Sequence, residues 1–175
     1  MDLDSTRQTH PRGFTLVELL IVVVILGVIA AIAVPQFSSN TEDAKLSQLQ
    51  ANLHVMREVV ERYHLQHSGF YPGAQKTDGS AIMLASAVQA RNAFYDQLTL
   101  YTSSKGGTAS VRDATFCYGP YLREIPVNPF NGLNTVKCNM TDDGFSGVVA
   151  DGSSGWLFFV KTGVIRANDA AHVDE

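Results

Sequence analysis

Residues 10–35 read HPRGFTLVELLIVVVILGVIAAIAVP. From Phe14 to Val34 there are 21 positions with one charge among them, that of Glu18. Wound as a helix rising 1.5 Å per residue, this run would be about 31 Å long, close to the hydrocarbon thickness of a bilayer. A secretory signal has a shorter apolar core followed by a small-residue cleavage site. Here the run is longer and Gly13 precedes it, so the stretch predicts a single spanning helix. An acidic side chain at the centre of such a helix costs about 2.5–3.5 kcal/mol, and less near an end. A lone intramembrane carboxylate therefore asks for a function.

Working outward, Arg7 and Arg12 precede the run, while Glu42 and Asp43 follow it ahead of Lys45. Excess cationic residues stay on the cytoplasmic side, which places the short N-terminus inside and the rest of the chain outside. The whole sequence of 175 residues carries 13 Lys and Arg against 17 Asp and Glu, a net charge of −4. Neutralising phosphates needs a basic face, and the cations here are scattered, so no nucleic-acid partner is expected.

The order Arg12-Gly13-Phe14-Thr15-Leu16-Val17-Glu18 resembles the processing site of type IV pilins and of the pseudopilins of type II secretion. In that family a short leader ends in glycine, phenylalanine follows, and a glutamate is fifth in the mature chain. Counted from Phe14, Glu18 is fifth and Pro35 twenty-second. The resemblance implies a leader over 1–13, cleavage between Gly13 and Phe14 by a prepilin peptidase, and methylation of the new Phe14 amine. It implies a transmembrane and assembly helix over 14–35, with Gly27 and Pro35 as places where it bends. Glu18 would pair with the cationic N-terminus of a neighbouring subunit and set the axial register of a filament. The implied partners are copies of the chain, other pseudopilins, the peptidase, an inner-membrane platform with its ATPase, and membrane lipid.

Beyond Pro35 the apolar period changes. Leu46, Leu49, Leu53, Met56, Val60 and Tyr63 recur every three or four positions, one stripe on a helix with charged residues around it. That predicts an amphipathic helix over 36–68, closed by Ser68-Gly69 and Pro72, and a globular head over 69–175. Residues 81–102 read as a second helix, 103–107 as a loop, and the proline-punctuated 119–132 as extended and turn pieces. The last stretch resembles the "YL…P…DP" region of major pseudopilins, with Asn128 where aspartate is more usual. Residues 156–160 and 164–167 read as a hairpin turning at Lys161-Thr162-Gly163. The expected fold is α+β and pilin-like: a long N-terminal helix, half in the membrane and half packed on a small antiparallel sheet.

Few constellations offer chemistry. Cys117 and Cys138 lie in the exported part, where a pair usually forms a disulfide, and closing that loop would stabilise the fold by about 3 kcal/mol. Asp142, Asp143 and Asp151 sit in a glycine-rich stretch able to wrap a hard cation, and calcium is the cofactor weighed against plain turn formation. Otherwise no cofactor is required. Glu61, His64 and His67 have a spacing that zinc sites use, set against an ordinary polar helix end. Ser153-Ser154-Gly155 lacks the elbow of a serine nucleophile. Asn139-Met140-Thr141 is formally a glycosylation pattern, and short enough to arise by chance. The expected role is thus mechanical. The chain is read as a structural subunit of a periplasmic type II secretion pseudopilus, anchored in a bacterial inner membrane, with no active site. The alternatives are a surface-pilus subunit for adhesion, motility or DNA uptake and, more remotely, a membrane-tethered periplasmic enzyme.

Overall fold

The computed structural model describes residues 13–80 and 86–175, with the backbone alone over 32–40. The leader residues 1–12, the Pro35 side chain and the expected start of the second helix at 81–85 lie outside the described residues. By its contacts the chain divides into two compact units, Met1–Asp43 and Ala44–Glu175. Helix α1 (Leu16–Gln66) contributes to both.

In the first unit the apolar run is helical, and its large side chains, Leu16 through Ile29, are all exposed. Among the described residues no helix is long and apolar enough to cross a membrane. The expected span also takes in positions 32–34, whose side chains are not described. Gly27 lies within the helix, with open space where a Cβ would stand.

The second unit has its own core. Leu49, Leu53, Met56, Val60 and Tyr63 of α1 are all buried, as their spacing requires. Helix α2 (Ala87–Thr99) adds Ala90, Ala93, Phe94 and Leu98. After α2 a short antiparallel pair forms from β1 (Tyr101–Thr102) and β2 (Thr108–Ala109). Strands β3 (Val136–Asn139), β4 (Trp156–Phe159) and β5 (Ile165–Ala167) make a second sheet in that order.

The expected hairpin is present, with β4 and β5 antiparallel and Trp156 opposite Ala167. The sheet as a whole is mixed, because β3 runs parallel to β4. A parallel neighbour needs a long crossover, and residues 140–155 supply it. This crossover also accounts for the unbroken burial of β4. Trp156 and Phe158 enter the core, while the ring of Phe159, on the other face, lies against Gly144 of the crossover.

Both free edges of the sheet are closed by side chains, as edge protection requires. On β3 the Tyr95 hydroxyl accepts from Val136 N–H at 2.9 Å and donates to the Asn134 carbonyl at 3.2 Å. On β5 the Arg57 guanidinium donates to the Ile165 carbonyl at 3.4 Å.

Candidate functional site

At the N-terminal junction, among the described residues nothing stands within 4 Å of the Gly13 Cβ position, and the Phe14 side chain is uncovered, at 81% exposed. Helix α1 begins two residues later because Thr15 caps it. The N–H and the hydroxyl of Thr15 both donate to Glu18 Oε2, each at 2.8 Å, and Glu18 N–H donates to Thr15 Oγ1 at 3.2 Å. This reciprocal arrangement is a capping box, which satisfies N–H groups that a helix start leaves without partners. Glu18 thus has a local task that the charge argument missed, although the signal was present as T-x-x-E.

The acids weighed for calcium are engaged in turns. Asp142 Oδ2 accepts from Asn139 Nδ2 at 2.6 Å, and Asp143 Oδ1 accepts from Phe145 N–H at 3.0 Å. Asp151 takes Lys137 Nζ at 2.6 Å, together with the Ser153 hydroxyl and Asn168 Nδ2. Hydrogen bonding from Lys137, then from Asn168 and Ser153, holds the Asp151 carboxyl well below the usual carboxylate range. Among the described residues no three His, Cys, Asp or Glu side chains form a group that could hold a metal ion.

The cysteine expectation needs correction, because Cys117 and Cys138 are both free. Cys117 is exposed, whereas Cys138 points inward from β3 into the core beside Tyr95 and Arg91. Burial pushes the Cys138 thiol up to about 12, so it behaves as a small apolar side chain.

The two histidines also part company. His67 is fully buried and stacked on Tyr63 at 3.7 Å. A carbonyl can only accept, so His67 Nδ1 donates to the Tyr63 carbonyl at 2.8 Å and Nε2 receives the Thr102 hydroxyl at 3.0 Å. His64 instead stacks on Tyr71. The zinc spacing at Glu61, His64 and His67 is therefore a helix end packed into the fold.

Residues 9–34 match the family model described as the prokaryotic N-terminal methylation motif. The chain is 37% identical over 73 residues to a fimbrial protein of Neisseria meningitidis serogroup B, covering 42% of each chain. It is 38% identical over 70 residues to the type II secretion system core protein G of Pseudomonas aeruginosa, which covers 40% of this chain and 49% of that one. The type IV major pilin protein PilE of Neisseria gonorrhoeae is 36% identical over 73 residues, 42% of this chain and 43% of its own. The chain thus spans less than half the length of these relatives. No solved structure matches it significantly.

Proposed function

We propose that this chain is a pilin-like structural subunit and not an enzyme. In this reading it is made with a leader, held in a bacterial inner membrane by the first part of α1, and cut between Gly13 and Phe14. The head follows on the periplasmic side, and the processed subunits polymerise through their apolar helices. The observation that carries this reading is the open Gly13–Phe14 junction, followed by a capped apolar helix in which Glu18 is the one acid before Glu42. Exposed apolar side chains running from Leu16 to Ile29 have no use on a solitary soluble subunit.

Within this class we favour a type II secretion pseudopilus. The likeness to a secretion core protein supports it. The likeness to fimbrial and PilE proteins supports the second reading, a surface pilus.

The test is the N-terminal mass of the membrane-extracted protein, with and without an active prepilin peptidase. The expected product begins at a methylated Phe14. A chain that keeps Met1 beside an active peptidase, or one cut after the apolar run, overturns the proposal. Loss of secretion against loss of surface filaments in a deletion strain then separates the two destinations.

A further inference from the structure

Among the described residues, three buried side-chain atoms have no hydrogen-bond partner: the Tyr63 hydroxyl, Gln75 Oε1 and His64 Nδ1. His64 belongs to the helix end described above. The other two lie together. A Cβ built on Gly106 would stand 2.9 Å from the Tyr63 hydroxyl and 2.9 Å from Gln75 Oε1. Both oxygens therefore face one spot beneath the turn at 103–107, which is closed by Gly106 N–H on the Ser103 carbonyl and Ser103 N–H on the Gly107 carbonyl, each at 2.9 Å. Tyr63 is fully buried. A buried hydroxyl left unpaired is costly, so a node of this kind calls for a partner.

The neighbouring donors are already committed. Gln97 Nε2 lies 3.1 Å from the same Cβ position, and its two hydrogens go to the Gln75 and Gly106 carbonyls, each at 2.8 Å. The His67 ring, stacked on Tyr63, spends one nitrogen on the Tyr63 carbonyl and the other on the Thr102 hydroxyl. Neither side chain has a hydrogen left for Gln75 Oε1. Burial, and then the neighbouring Tyr121, push the Tyr63 phenol above the ordinary tyrosine range, so it stays protonated and keeps a hydrogen to donate. The node thus needs one species that accepts from a phenol and donates to an amide oxygen. A metal cation can do neither. A water molecule does both.

We infer that Tyr63, Gln75 and Gly106 form a binding site for one ordered water, which accepts the Tyr63 hydroxyl and donates to Gln75 Oε1. The water ties α1 to the segment at 72–80 at the point where the turn at 103–107 closes over both. That turn is fastened to the same segment by Thr108 N–H on the Thr77 carbonyl at 2.9 Å. Gly106 suits the site twice over. Its φ of +79° is left-handed, and a side chain there would crowd both oxygens. The site lies within the head and does not depend on the filament reading.

The experiment is oxygen-17 magnetic relaxation dispersion of water, on the full chain in zwitterionic detergent micelles. Its amplitude counts waters held inside the fold, and following the water oxygen avoids signals relayed by exchanging hydroxyl protons. Tyr63→Phe removes the hydroxyl and keeps the ring that stacks on His67. Its amplitude is expected to fall by one water per chain. Gln75→Leu should lose the same water, and the double variant should lose no more than either alone. Amide spectra taken alongside show that each variant keeps its fold, and Gln75→Met replaces Gln75→Leu if that one does not. An amplitude unchanged by Tyr63→Phe overturns the inference, because the hydroxyl then holds no water. A loss in only one of the single variants overturns it too, as do losses that add in the double variant, because no one water then bridges the two oxygens.

Discussion

Two roles meet at Glu18, and substitution can separate them. Its carboxylate completes the capping box with Thr15, and on the proposed function its charge also pairs with a neighbour's amine. Glutamine also serves at the third position of a capping box, so Glu18→Gln keeps the cap and removes the charge. Thr15→Ala does the reverse. If charge sets the register, Glu18→Gln should lower the yield of sheared filaments by tenfold or more while Thr15→Ala assembles nearly normally; the opposite ranking would assign Glu18 to capping alone. A second residue-scale prediction concerns His67. Burial is the main cause of its lowered pKa, and hydrogen bonds to the backbone of Tyr63 and Ser103 partly offset it. The unfolded chain therefore takes up this proton first as pH falls. The His67 contribution is fully present above the unfolded value of about 6.5 and is lost as pH drops from there towards the lower folded value. Thermal melts of the head between about pH 7 and about pH 5 should show a falling Tm, and His67→Gln should flatten that part of the profile.

At the scale of elements, the readable parts were those with a strong period or a turn signal. The stripe from Leu49 to Tyr63 identified its buried face because a helix repeats every 3.6 residues. The Lys161-Thr162-Gly163 turn located the β4–β5 hairpin. Partners distant in sequence left no such trace. Nothing local in "VKCN" or "WLFF" says that these strands run parallel, since that follows from how the 140–155 crossover packs. The disulfide expectation failed for the same reason, because two cysteines in one compartment say nothing of where β3 turns Cys138. One close approach in this region gives a direct test. A Cβ on Gly155 would stand 2.0 Å from the Leu133 carbonyl oxygen, and that oxygen already accepts from Asn128 N–H. Neither backbone can yield without opening the start of β4. Gly155→Ala should therefore destabilise the head by about 3 kcal/mol, the upper part of the range for overpacking, as read from chemical denaturation. A loss below about 1 kcal/mol would mean the loop relaxes freely.

For the molecule as a whole, the division after Asp43 separates two kinds of surface. Among the described residues, most of the exposed large apolar side chains lie between Phe14 and Ile29, whereas those of the head, such as Leu65, Val88, Val111 and Phe145, are scattered over its helices and loops. Scattered apolar residues are normal on a soluble domain, but a continuous run is not. The head also contains its own core, from Leu49 through Trp156 to Ala167, and closes both edges of its larger sheet. Residues 44–175 expressed alone should accordingly be soluble, melt in a single transition and sediment as a monomer. On the proposed function they should also fail to enter filaments when mixed with the full chain, since the apolar helix proposed to drive polymerisation is gone. Sedimentation and filament incorporation answer these points separately. A head that associates on its own, or that enters filaments without residues 1–43, would move the driving contact from the apolar helix to the head surface. The exposed apolar run would then serve only to hold the subunit in the membrane before assembly.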